Sequence, residues 1–334
     1  MSVRSTSPWK KIRHRLEWLA VQWLYFCVPL LPRKGARIFA KILGSLAYWI
    51  NRRGRLVAIE NLTLVFGEGK SEREIRRIAL DSYHGFAQTV VDQFWSSRLN
   101  AENYRNYCET EVEDMDAILK ALDTGAIWVT PHYGNFEWIA LIMGFSGFKF
   151  TIVAQDLKNP SLIETYKKNR ELSGHEVITK WGAAYRLLDN LENGGHAAFL
   201  TDLTARPSKA ATVIRCFGRK TCVTSIHAEL MKRTGLPVIP GICIPRPDGT
   251  YLLKGFKPLV FGPDDTAQSI AQSCWNVFEE YIREHPAPWL WMYKHWRYLP
   301  AGEEDLYPSY AEPNELFDKV MARIESLNRP GKQR

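Results

Sequence analysis

The chain has 334 residues, 46% hydrophobic and 24% charged, with six cysteines and a formal charge of +8 at pH 7. That balance excludes a disordered chain and a disulfide-stapled miniprotein, and the length permits a sizeable buried core. The charge is uneven: residues 1–55 hold twelve Lys or Arg and one acid, Glu17, for +11, so the rest of the chain sums to −3. A domain-wide nucleic-acid surface is therefore not expected.

The basic segment brackets an uncharged run, WLAVQWLYFCVPLLP, from Trp18 to Pro32. Fifteen residues at ~1.5 Å each make about 22 Å of helix, short of a ~30 Å hydrocarbon core. Pro29 would break a straight helix near its end, and no small-x-small cleavage pattern follows. Residues 1–34 are read as either a marginal membrane anchor or a segment lying in the interface, with Trp18, Trp23 and Tyr25 at headgroup depth, the alternative being a buried helix of a soluble domain. The flanking cations favour an anionic membrane surface.

From residue 35 to about 111 the signals are helical. ARIFAKILGSLAYWI repeats apolar residues at three- and four-residue spacing, and Ser71 with Glu74 opens a long helix with a capping box. After about residue 112 the rhythm changes. Strands are expected at 126–130, 149–154, 176–179, 196–201, 237–244 and 251–256. Helices are expected at about 113–123, 135–144, 160–173, 182–193, 223–235 and 265–284. The alternation predicts an α/β fold, a mostly parallel central sheet flanked by helices, in one domain spanning 35–305. The last two strands, joined through PRPDGT, read as an antiparallel hairpin at a sheet edge, and 306–334 as a polar tail.

The strand at 126–130 runs into TPHYGNFEW. Ligands of doubly wound sheets bind beyond the carboxyl ends of the strands, so His132 is delivered to that crevice. Gly134 permits a tight turn, and Asn135 suits the N-cap of a helix beginning near Phe136. Glu137, in the first turn, can then reach back to hold the imidazole, a base-plus-orienter pair worth about 10²–10⁴ in rate. Backbone N–H groups near Gly134 and Asn135 are candidate oxyanion donors. On spacing alone, a loop histidine and a glutamate serving the helix dipole explain the same residues.

Longer stretches carry a resemblance. The His132-x4-Glu137 pattern resembles the H-x4-D/E motif of the lipid A biosynthesis acyltransferases, the lauroyl and myristoyl transferases. VAIENLTLVFGEGKSEREIRRIALDSYHGF is similar to that family's helical lead-in. LKNPSLIETYKKNRELSG is similar to its N-P segment followed by an arginine, here Arg170. LTDLTARPSKAATVIRCFGRKTCVTSIHAELMKRTGLPVIP and PAPWLWMYKHWRY are similar to its aspartate-bearing strand end and its aromatic-basic terminus. The resemblance covers roughly residues 10–300, in family order.

It implies that His132 deprotonates an acceptor hydroxyl with Glu137 as its partner. The attacked group would be the thioester of an acyl carrier protein or coenzyme A, with no metal or redox cofactor. It also implies that Asp202 ends a strand at the same sheet edge. Arg170, Arg215, Arg219 and Lys294, with Gly134 and Asn135, would then take part in binding the substrates. The acceptor would be a membrane glycolipid, a lipid A precursor first, at the cytoplasmic face of a bacterial inner membrane. Acylation of an amino-acid lipid or a phosphatidyl-sugar, or a silent lipid-binding role, remain alternatives. Three departures fall where headgroup anions would be read: Gln155 and Asp156 in place of an arginine, Leu203 in place of a glutamine, and Tyr293-Lys294-His295 in place of H-R-R.

Other signals are set aside. GEGKS at 67–71 lacks the first glycine and the strand of a phosphate loop, and GFSG at 144–147 is not a nucleophile elbow. His84, His175, His196 and His227 show no ligand spacing. Trp289, Trp291 and Trp296, beside Lys294 and Arg297, are expected at a membrane interface.

Overall fold

The computed structural model describes residues 8–154, 159–179 and 181–327. Its first part is helical: α1 (Pro8–Cys27), α2 (Arg33–Ile50), α3 (Arg52–Phe66) and α4 (Glu72–Trp95). The Ser71/Glu74 capping box forms at the start of α4. Gly44 lets α2 lie close on α4, since a Cβ there would stand 2.9 Å from the His84 backbone. The uncharged Trp18–Pro32 run is divided: α1 stops at Cys27 and Pro29 sits in a 3₁₀ turn, Val28–Leu30. Among the described residues no helix is long and apolar enough to cross a membrane, so the spanning reading is not met.

The sheet elements follow: β1 (Cys108–Val112), α5 (Met115–Thr124), β2 (Ala126–Thr130), α6 (Phe136–Phe145), β3 (Phe150–Ala154), α7 (Ile163–Arg170), β4 (Glu176–Thr179), α8 (Ala183–Glu192) and β5 (His196–Leu200). Then come β6 (Ala211–Cys216), β7 (Arg219–Thr224), α9 (Ile226–Thr234), β8 (Val238–Pro245), β9 (Tyr251–Gly255) and α10 (Ala267–Glu284). The chain closes with β10 (Tyr298–Leu299), β11 (Glu312–Pro313) and α11 (Glu315–Leu327).

Seven strands make the central sheet in the order β1-β9-β8-β2-β5-β3-β4, parallel throughout except for β8 against β9. Strand β2 sits in the middle and reads AIWVT because both its faces are covered. Its Ile127 and Val129 share a core with Leu62 of α3 and Ile75 and Ala79 of α4, so the lead-in helices pack on the sheet itself. The opposite face meets α6, whose sequence FEWIALIMGF is apolar nearly all round.

Two expectations are corrected. The β8–β9 hairpin is antiparallel but not at an edge, because β1, absent from the sequence reading, pairs parallel with β9 and covers it. Residues 306–334 are not simply a polar tail: Phe317, Val320 and Ile324 of α11 are buried against the β6–β7 hairpin. That hairpin was also unforeseen. It turns on Phe217 and Gly218, both at positive φ, a pair outside the usual Asn-Gly or Asp-Gly signal.

Candidate active site

The centre of the site follows from strand register. β2 and β5 run parallel with Thr130 opposite Leu200, so residues two steps beyond each strand arrive side by side. These are His132 and Asp202. The imidazole Nδ1 lies 2.7 Å from Asp202 Oδ1, and the backbone N–H of His132 donates to Oδ2 at 2.9 Å. The indole N–H of Trp289 donates to the same Oδ2 at 2.8 Å. Burial by itself would raise the Asp202 pKa. The charge of His132 and its hydrogen bond, then His295 and the Trp289 N–H, outweigh it and hold the carboxyl below its ordinary value. An ionised carboxylate only accepts, so Nδ1 carries a proton, and in the neutral ring Nε2 is the nitrogen with the free lone pair.

The turn that follows is held rigidly. At Gly134 φ is +55°, and a Cβ there would stand 1.9 Å from the Cys243 carbonyl oxygen, so only glycine fits. Asn135 caps α6 through Oδ1 to the Trp138 N–H at 3.2 Å, as its sequence position suggested. Its Nδ2 donates to Asp92 Oδ2 at 3.0 Å. Asp92 is a fully buried carboxylate that also accepts from Gln88 at 2.7 Å, Tyr251 at 2.6 Å and Arg33. The Arg33 guanidinium lies over the Trp95 and Trp138 rings, so the buried charge is paired and hydrogen-bonded on all sides. Nothing in the sequence marks Asp92 as part of this neighbourhood; it sits in the middle of a helical pattern.

Two sequence expectations change here. The backbone N–H groups of Gly134 and Asn135 donate to Pro288 and Cys243 carbonyls at 3.0 and 3.1 Å, so they are not free to receive an oxyanion. Glu137 does not hold the imidazole. Its carboxylate takes two hydrogen bonds from Arg170, at 2.9 and 3.3 Å, and Asp202 holds the ring instead. A carboxylate on a neighbouring strand end reaches Nδ1 without bending the turn, whereas Glu137 leaves its helix toward α7. Burial would lower the Arg170 pKa, but the Glu137 charge and hydrogen bond leave it raised, so the guanidinium stays charged.

His132, Glu137 and Arg170 line a cavity of about 450 Å³ between α6 and the sheet. The rest of its wall is mainly apolar, including Phe136, Ile139, Phe150 and Ile152, with Leu203 at the position of the missing glutamine. Arg215, Arg219 and Lys294 do not line it. Arg215 and Arg219 bond carbonyls around the β6–β7 hairpin, and Lys294 lies over the Tyr310 ring. Gln155 and Asp156 fall outside the described residues. The tryptophans expected at a membrane interface are buried: Trp289, Trp291 and Trp296 are 0% exposed and pack around Phe217. His295 stacks on Trp289 at 3.9 Å, behind Asp202. Among the described residues no three His, Cys, Asp or Glu side chains converge as a metal site would need.

Comparison with known proteins places the chain in a family. The model of the bacterial lipid A biosynthesis acyltransferases matches residues 7–298. The chain belongs to that family. Among similar members, the lipid A biosynthesis lauroyltransferase of Escherichia coli is 24% identical over 307 residues, 88% of this chain and 95% of that protein. The phosphatidylinositol mannoside acyltransferase of Mycolicibacterium smegmatis is 28% identical over 198 residues, 56% of this chain and 62% of its own length. Its counterpart in Mycobacterium tuberculosis is 27% identical over 191 residues, 55% of this chain and 58% of its own length. The mycobacterial matches thus span less than two thirds of those proteins.

Proposed function

We propose that this acyltransferase-family chain moves a fatty acyl group from an acyl thioester, carried by acyl carrier protein or coenzyme A, to a hydroxyl of a membrane glycolipid. The observation that carries the reading is the His132–Asp202 pair opening onto an apolar cavity. In this reading Nε2 of His132 takes the acceptor's hydroxyl proton as the oxygen attacks the thioester carbonyl carbon. Asp202 stabilises the imidazolium that forms. The tetrahedral intermediate collapses with loss of the thiolate, which takes up the proton from His132. The first-turn N–H groups of Phe136 and Glu137 have no partner within α6 and suit the developing oxyanion. The acyl chain occupies the apolar cavity, and Arg170 is the nearby cation for a phosphate of donor or acceptor.

Membrane attachment fits the outer faces of α1 and α2. Trp9, Trp23, Phe26, Trp49 and Ile50 are each more than 60% exposed, beside Lys10, Lys11, Lys34 and Lys41. Such a surface suits an interfacial helix pair on an anionic leaflet, here the cytoplasmic face of a bacterial inner membrane. A lipid A precursor is the first acceptor to test, with a phosphatidyl-sugar or an amino-acid lipid next.

The test is lipid mass spectrometry of a host expressing the wild type or His132→Ala, each protein confirmed in the membrane fraction. A lipid that gains one acyl chain only with the wild type would name acceptor and chain length together. Identical lipidomes across hosts with and without lipid A would overturn the transfer reading in favour of lipid binding alone.

A further inference from the structure

Behind the cavity that His132 lines there is a second one, of about 780 Å³, between α5, α6 and the β8–β9 side of the sheet. Its inner wall includes Ile118, Leu122, Met143 and Phe148, and its outer rim carries Arg105, Arg246 and Asp248. Trp128, Ile139 and Gly241 line both cavities. They are the partition between them. Gly241 contributes no side chain, so the wall consists of an indole from β2 and a butyl group from α6.

Trp128 is braced in place. Side chains alternate along a strand, and Ile127 and Val129 point into the core on the other face, which leaves Trp128 facing α6. Its ring meets Phe148 edge-on at 5.0 Å and Phe150 at 5.6 Å, and its N–H lies 3.4 Å from His196 Nδ1. A ring held on three sides is a fixed floor. His132 lies four residue steps beyond Trp128, at most about 13 Å at ~3.3 Å per residue. An extended hydrocarbon with bonds of about 1.5 Å advances roughly 1.25 Å per carbon, so about ten methylenes fill that depth.

We propose that Trp128, with Ile139, sets the acyl chain length, closing the chain-binding cavity at a medium-length acyl group and sealing off the second cavity that longer chains would otherwise occupy. This rests on the acyl-transfer reading for its substrate, but the partition itself is a property of binding. Decanoyl and dodecanoyl chains fit above the indole. Myristoyl and longer chains meet it, and each methylene refused costs about tenfold in preference.

The experiment compares the full-length wild type with Trp128→Ala, Trp128→Phe and Ile139→Ala on two readouts. One is transfer from saturated acyl thioesters from octanoyl to stearoyl; the other is binding of the matching free fatty acids. Expected is a decanoyl-to-dodecanoyl optimum for the wild type and Trp128→Phe. The optimum should move by four or more carbons in Trp128→Ala and in the same direction in Ile139→Ala, which covers the case in which the first variant fails to fold. An unchanged optimum in folded variants overturns the partition while leaving acyl transfer standing. A longer-chain shift in binding without transfer by any protein sustains the partition and sinks the transfer reading. A wild type that prefers palmitoyl or stearoyl chains, or that neither transfers nor binds any chain, overturns the proposal outright.

Discussion

Glu137 and Arg170 meet side by side at the cavity, guanidinium to carboxylate at 2.9 Å, each less than one-third exposed. The pair joins the first turn of α6 to the end of α7, so it fixes the wall of the cavity as well as its charge. A pair of this kind acts as a unit. Glu137→Gln and Arg170→Met should each reduce activity, and the double variant should lose less than the sum, by a coupling of about 1–3 kcal/mol. A double-mutant cycle on kcat/KM checks it, and strict additivity would show that the two groups work independently.

Asp202 carries a different expectation. Asp202→Asn keeps the shape but removes the acceptor that fixes the His132 tautomer, so kcat should fall by about 10²–10⁴ with little change in thermal stability. Trp289→Phe removes only the indole N–H on Oδ2. Since that N–H helps hold the carboxyl low, its loss raises the Asp202 pKa and strengthens the carboxylate's hold on the imidazolium. The acid limb of the kcat/KM profile should therefore move to higher pH, with kcat down by up to about tenfold. A profile unchanged from wild type would detach Trp289 from the pair.

Stability should fall in mild acid. His227 is buried with neither ring nitrogen partnered among the described residues, and burial pushes its pKa down from 6.5 to about 4. The folded state therefore keeps it neutral where the unfolded chain already binds the proton. Stability is unaffected by this group above pH 6.5 and is lost as the pH falls from there toward 4. Each tenfold difference in proton affinity between the two states is worth about 1.4 kcal/mol, so the loss is roughly 3 kcal/mol in all. His295 is lowered to about 4 as well, by burial first, and adds to the same trend. Denaturant melts between pH 7 and pH 4 should show a shallower loss for His227→Leu than for the wild type.

The exposed face of α1 and α2 gives a binding prediction. Replacing Trp9, Trp23 and Trp49 together by Ser should cut partitioning onto anionic vesicles by more than about tenfold, since each removes a large apolar group from the interface. Raising the salt should weaken the wild type on anionic vesicles and leave its weaker affinity for neutral ones nearly unchanged. Equal co-sedimentation of both proteins would locate the membrane contact elsewhere.

Gly134→Ala should be severely destabilising or inactive, because its Cβ would collide with the Cys243 carbonyl. Gly147→Ala makes a useful contrast: it shares the positive φ but meets no atom within 4 Å, so only backbone strain should register in its melting temperature.

Much of the architecture was legible because its signals are local. The strands at 126–130 and 176–179 form with the bounds that their apolar runs suggested, and the Ser71/Glu74 box opens α4 where the spacing placed it. The elements that escaped have weak local signals. β1 reads CETEV, polar on three of five residues, and finds its place only by pairing with β9, where Cys108 lies opposite Tyr251, a residue distant along the chain. The aromatic terminus misled in the opposite way: three tryptophans beside cations look interfacial, yet they enclose Phe217, and Trp289 reaches Asp202 from 87 residues away.

The sequence by itself determined that a histidine stands at the end of a central strand, that a glycine and an asparagine turn the chain into a helix, and that this belongs to an α/β sheet. Each depends on residues within a few positions of one another. The tertiary structure decided which carboxylate the histidine meets. Glu137, five residues away, was the nearer choice along the chain; Asp202, seventy residues away, is the nearer one in space, because parallel strands in register deliver their ends side by side. Cavity depth was decided at the same level, since Trp128 and Ile139 become one wall only when β2 and α6 pack face to face.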